Sequence, residues 1–90
     1  MGRREEQRHD VIDDRRSMDR LLDAVERDDD AEVERFRSEL AAEDEPALLK
    51  LEDVAERAAR ARGTTERVID RVRNMFQAIV LLRFLRARRP

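Results

Sequence analysis

The chain has 90 residues, enough for one small domain, and 20 Lys and Arg stand against 22 Asp and Glu, a net charge of −2. Without cysteine it forms neither disulfides nor thiolate metal sites, and no run approaches the roughly 20 apolar residues that span a bilayer. Two Gly, two Pro and three Phe leave little material for strands, whereas Ala, Leu, Arg and Glu favour helices. We therefore expect an all-α domain of three to four helices, a small antiparallel bundle completed by oligomerisation.

Charge is divided unevenly along the chain. Residues 1–45 hold nine Arg against seventeen acids, a net −8, and residues 46–90 hold ten Arg and one Lys against five acids, a net +6. Such asymmetry marks a charged partner, or it lets the two halves neutralise each other within one molecule or between two. We favour neutralisation for so small a protein. The single domain, 1–90, is thus expected to have a frayed extension (1–10), an acidic helical half (11–43) and a basic helical half (46–90).

Apolar residues at helical spacing predict a first helix from about Arg4 to Arg27. They form one stripe with two flanking positions: Val11, Met18, Leu22 and Val25, then Ile12 and Leu21. Asp29 and Glu32 have capping-box spacing and predict a second helix over about 30–43. This helix would bury Val33, Phe36 and Leu40. One continuous helix of about 40 residues is the alternative, because these residues continue the first stripe almost in phase.

Pro46 suits the first turn of a third helix, predicted over about 46–62. Its buried face is rich in small residues: Leu48, Leu51, Ala55, Ala58 and Ala59. Gly63 is expected to end it in the left-handed conformation. Thr64 or Thr65 would then cap a fourth helix that runs to about Arg86.

The fourth helix has two apolar faces. Its core stripe is flanked by Ile69 and Val80 and consists of Val68, Val72, Met75, Phe76, Ile79 and Leu82. Leu81, Phe84 and Leu85 fall on the opposite side. A helix that is apolar on both sides must be covered on both, and another copy of so short a chain is the expected cover. We therefore predict an interface at these three residues.

Residues 51–74, LEDVAERAARARGTTERVIDRVRN, support a second hypothesis, because they resemble the helix-turn-helix of lac-repressor-like regulators. The small Ala59 and, four residues later, Gly63 match that motif. Arg62 and Thr64 depart from it, since the family has apolar residues there. The resemblance implies a small DNA-binding regulator. The arginines placed to contact phosphates or base edges would be Arg67, Arg71 and Arg73.

Catalysis has little support in the sequence. His9 is the only histidine, and Ser17 and Ser38 lack His and Asp partners at suggestive spacing. The final stretch, MFQAIVLLRFLRAR, resembles the last helix of small all-α chorismate mutases, which implies an enzyme that acts on an anionic metabolite. The arginine spacing of that family's first helix is not reproduced in residues 1–45. We assign no catalytic residue, cofactor or metal ligand.

The first hypothesis is therefore a non-enzymatic interaction or assembly module that self-associates through its C-terminal helix. The DNA-binding regulator is the alternative, and the small enzyme is third. The expected partner is a second copy of the chain, with another protein or a nucleic acid as further options. The N-terminal residues MGRREEQRHD lack the apolar core of a signal peptide, so we expect a cytoplasmic protein without a transmembrane segment.

Overall fold

The computed structural model describes residues 11–88, with side chains from Asp14 onward. Four helices account for most of this range: α1 Val11–Glu26, α2 Asp30–Ala41, α3 Glu45–Arg62 and α4 Glu66–Ala87. The described range contains no strand, which confirms the all-α prediction. The predicted extension 1–10, the start of the first helix at Arg4, His9, and the side chains of Val11 and Ile12 lie outside what is described.

A tight turn separates α1 from α2. Asp28 adopts a left-handed backbone with φ 58°. Its N–H donates to the Val25 carbonyl at 3.1 Å, and the N–H of Asp29 donates to the Ala24 carbonyl at 2.9 Å. This pair of bonds is a Schellman motif, which satisfies the last carbonyls of α1. The Asp29 carboxylate then accepts from the N–H of Glu32 and caps α2. The predicted cap is confirmed, and the single continuous helix is wrong.

A second Schellman motif, with a glycine at the left-handed position, separates α3 from α4. Gly63 has φ 73°, and the N–H of Thr64 donates to the Ala59 carbonyl at 2.9 Å. Thr65 is the cap of α4, since its side chain accepts from the N–H of Val68. At the other end of α3, Asp44 accepts from the N–H of Ala47 at 2.9 Å. The predicted ends of α3 and the start of α4 are therefore correct to within one residue.

The core is built around α1, which packs against all three other helices and most extensively against α3. Buried residues cover much of the circumference of α1: Met18, Leu21, Leu22, Ala24 and Val25. The predicted face of α3, including Ala55, Ala58 and Ala59, is buried in full. On α2, Phe36 and Leu40 are buried and Val33 is partly buried. The small residues of α3 let its backbone approach α1 closely.

The core stripe of α4 ends one turn earlier than predicted. Val72, Met75, Phe76 and Ile79 are buried, but Leu82 is 54% exposed. The prediction for Leu82 was wrong. Helical periodicity gives the side of α4 on which Leu82 lies, but it does not give how far the neighbouring helices extend along α4. α2 ends at Ala41, and none of the described helices covers Leu82. The last two turns of α4 therefore extend beyond the core.

The two left-handed turns can be tested with matched substitutions. Asp28→Gly and Asp28→Ala remove the same exposed carboxylate, so their difference isolates the backbone conformation. We expect the Gly variant to be more stable by about 1 kcal/mol in urea unfolding, because Ala strains at positive φ. Gly63→Ala should lose about 1 kcal/mol for the same reason. A Cβ there meets no atom within 4 Å, so the loss comes from the backbone conformation and not from a clash. Equal stability of the two Asp28 variants would show that the turn carries no such strain.

Candidate interaction surface

The largest apolar exposure of the described residues lies at the C-terminal half of α4 and the adjoining part of α3. Leu49, Leu81, Phe84 and Leu85 form what we call the outer patch, and each is 51–55% exposed. The three residues predicted as an interface therefore lie at the surface of a single copy. Their role as an interface stays a prediction.

A shallow groove runs through the outer patch between α3 and α4. It is lined by apolar and polar residues from both helices: Leu49, Glu52, Gln77, Val80, Leu81 and Phe84. Leu49 was not singled out from the sequence. Its exposure could have been inferred because it lies outside the Leu48–Leu51 face of α3, on a side of the helix that also carries charged residues.

Arg83 fixes the part of α4 that carries the outer patch. Its guanidinium donates to the Ala41 carbonyl at 2.7 Å and also to the Glu43 carbonyl. These carbonyls lie at and just beyond the C-terminus of α2, where unpaired oxygens and the helix dipole favour a cation. The patch is thus presented on a helix that is tied to the bundle beyond its last buried residue.

Arg62 joins the end of α3 to α1. It contacts three successive acids on one face of α1: Asp19, Asp23 and Glu26. It also donates to the Asp19 carbonyl at 3.0 Å, and the hydroxyl of Thr64 donates to Glu26 at 3.1 Å. Arg62 and Thr64 are the two departures from the helix-turn-helix pattern. Both of these polar residues bind α1, which explains why apolar residues are not needed there.

The contact with Arg62 changes the acidity of Asp23. The hydrogen bond from Arg62 is the main cause of a lowered Asp23 pKa, and the charges of Arg62 and Arg27 act in the same direction. Slight burial opposes them. Because the folded state holds the Asp23 proton less tightly than the unfolded chain does, this contact stabilises the fold only where the carboxylate is ionised.

The arginines of the DNA-binding hypothesis do not share one free surface. Arg71 donates to Asp28 at 2.8 Å, and Arg73 donates to Glu56 at 3.0 Å. Hydrogen bonds from Arg60 and Arg73 lower the pKa of Glu56, so that acid favours its charged form. Only Arg67 of the three is exposed without an ion pair to another residue of 11–88. Two of the three cations are therefore engaged by acids of the same chain.

Two further features are absent from the part of the chain that the structure describes: a metal site and a membrane-spanning helix. No group of three or more His, Cys, Asp or Glu within it could hold a metal ion. No helix of residues 11–88 is long and apolar enough to cross a membrane. Comparison of the chain with protein families, with curated proteins and with solved structures gives no match.

The contact between Arg62 and Asp23 gives a pH-dependent prediction. Arg62→Gln should lower the free energy of unfolding by about 1 kcal/mol at neutral pH, because several charge-assisted hydrogen bonds between helices are lost. Asp23→Asn should also destabilise at neutral pH. Its effect should shrink as the pH falls below 3.8, the ordinary pKa of this carboxyl group. Stability that depends on a lowered pKa is lost when the carboxylate is protonated.

The measurement is thermal unfolding followed by circular dichroism across this pH range. Asp53→Asn is the matched control, because Asp53 pairs with Arg57 within α3 at 3.1 Å and joins no second helix. Its loss should matter less than that of Asp23 at neutral pH. Equal effects of the two substitutions at every pH would contradict the role assigned to Arg62.

Proposed function

We propose that the chain is a non-enzymatic helical interaction module that associates with a second copy of itself through the outer patch. The observation that carries this proposal is that three large apolar side chains, each more than half exposed, line one groove, with Leu85 nearby on the same side of α4: Leu49, Leu81 and Phe84. Half-exposed residues of this size together present on the order of 400 Å² of apolar surface, within the range of the largest patches on monomers, which are often functional.

The size of the chain supports the same proposal. A domain of about 90 residues buries only roughly 60% of its unfolded surface, so its margin of stability is small. Association adds buried area without lengthening the chain. A stable dimer buries about 800 Å² on each partner, so the outer patch would be the apolar centre of a contact that also includes its polar rim.

The DNA-binding and enzymatic hypotheses receive no comparable support. The arginines of the first are largely engaged by acids of the same molecule. For the second, the two arginines that line one surface groove, Arg37 and Arg71, each pair with an acid of the same molecule. Self-association is therefore the function that we carry forward.

Phe84→Glu tests the proposal against a closely matched control. Phe84 lines the groove, whereas Leu82 is equally exposed, at 54%, on the same helix but outside the groove. We expect the unchanged chain to sediment as a dimer at tens of micromolar. Phe84→Glu should shift it to monomer, because a desolvated charge is costly at the centre of an interface. Leu82→Glu should leave the dimer largely intact.

Circular dichroism should show the same helix content for all three proteins, since both altered residues are half exposed. A monomeric unchanged chain at that concentration would overturn the proposal. So would a dimer that is equally indifferent, or equally sensitive, to the two substitutions.

A further inference from the structure

The exposed face of α4 has a spacing that reads the same in both directions. Four residues follow one another at intervals of four, three and four: Gln77, Leu81 and Phe84 of α4, and Arg88, the C-cap residue that follows Ala87 in a helical conformation. At 100° per residue they fall within one narrow stripe, the spacing of a two-helix seam. All four are exposed. Reversing the helix places Leu81 where Phe84 was and Gln77 where Arg88 was, so the stripe is complementary to its own reversed copy.

The two ends of this stripe differ in charge. Arg86 and Arg88 lie at the C-terminal end, and neither forms an ion pair with another of the described residues, although Arg88 stacks over the Phe84 ring at 5.3 Å. At the other end, Glu52 of α3 lines the groove beside Gln77 and Leu81. Burial and the neighbouring Glu56 raise the pKa of Glu52, and the charge of Arg73 offsets this only in part. A nearby cation would therefore favour its ionised form.

We propose that the dimer is antiparallel, with a two-fold axis between Leu81 and Phe84 of α4. This inference rests on the self-association proposed above. Leu81 of one copy packs against Phe84 of the second copy, and each Phe84 enters the groove beside Leu49. Arg88 of each copy then lies beside Glu52 of the other. The same surface patch serves on both copies, as a two-fold interface requires.

A parallel dimer would be less favourable for a physical reason. It would set Arg88 against Arg88 of the second copy and bring both Arg86 side chains to the same end, so like charges would face each other. It would also align the two helix dipoles in the same direction. The antiparallel arrangement separates the basic ends and gives each one an acidic neighbour.

Cysteine cross-linking distinguishes the two arrangements, because the chain has no cysteine of its own. In the antiparallel dimer the two Gln77 positions lie about 16 Å apart along the axis, beyond the reach of a disulfide. Each lies opposite Arg88 of the second copy. We therefore expect a mixture of Gln77→Cys and Arg88→Cys proteins to form the mixed disulfide under mild oxidation. Neither variant alone should cross-link efficiently. Mass spectrometry of the oxidised dimer identifies the product.

The outcomes separate failure of this inference from failure of self-association. A chain that sediments as a monomer overturns both. A dimer in which Gln77→Cys cross-links to itself, or in which no disulfide forms at all, overturns the antiparallel arrangement alone. Sedimentation of each cysteine variant before oxidation shows that it still dimerises.

A charge exchange tests the pairing of Glu52 with Arg88. Glu52→Arg and Arg88→Glu should each weaken the dimer about tenfold, because each creates two like-charge contacts across the interface. The double variant restores opposite charges and should recover most of the affinity. Failure of the double variant to improve on either single one would overturn this pairing. Asp53→Arg, which alters an exposed acid outside the groove, is the control for a general effect of added positive charge.

Discussion

The close packing of α3 on α1 is the contact on which the rest of the structure depends. α1 contacts every other helix, and α3 meets it with a face of alanines that are essentially inaccessible to solvent. Small side chains bring the two backbones together, so the larger residues of α1 are enclosed although the chain is short. At the end of this contact, Arg62 binds three acids of α1 and so joins the C-terminus of α3 to that helix.

The charge asymmetry of the sequence has a structural explanation in contacts between the two halves of the chain. Cations of the basic half meet acids of the acidic half within one molecule, as in Lys50 with Asp14, Arg62 with Asp23, and Arg71 with Asp28. Exposed pairs of this kind each add little to stability, but together they favour one arrangement of the helices over others. They also leave fewer cations for a nucleic acid. The cations that lack such partners within residues 11–88 include Arg86 and Arg88 at the end of α4.

Local chemistry made most of the fold predictable. Asp29, Gly63 and Thr65 act on atoms within five residues of themselves, so their roles could be inferred from spacing alone. The face of α3 was predicted for a similar reason, since helical phase determines which residues share a side. Leu82, Leu49 and Arg83 could not be placed this way. Their environment depends on where a different helix ends or passes, which is a tertiary property that periodicity does not contain.

Arg83 shows how the fold and the candidate surface depend on each other. It lies in α4 beyond the last buried residue, yet it binds carbonyls at the end of α2. Without that link, the final turns of α4 would be held less firmly to the bundle, and terminal turns of this kind fray readily. With it, Leu81 and Phe84 keep the fixed spacing that a helical seam requires. The C-terminus of α2 therefore provides the carbonyls that hold the last turns of α4 in place.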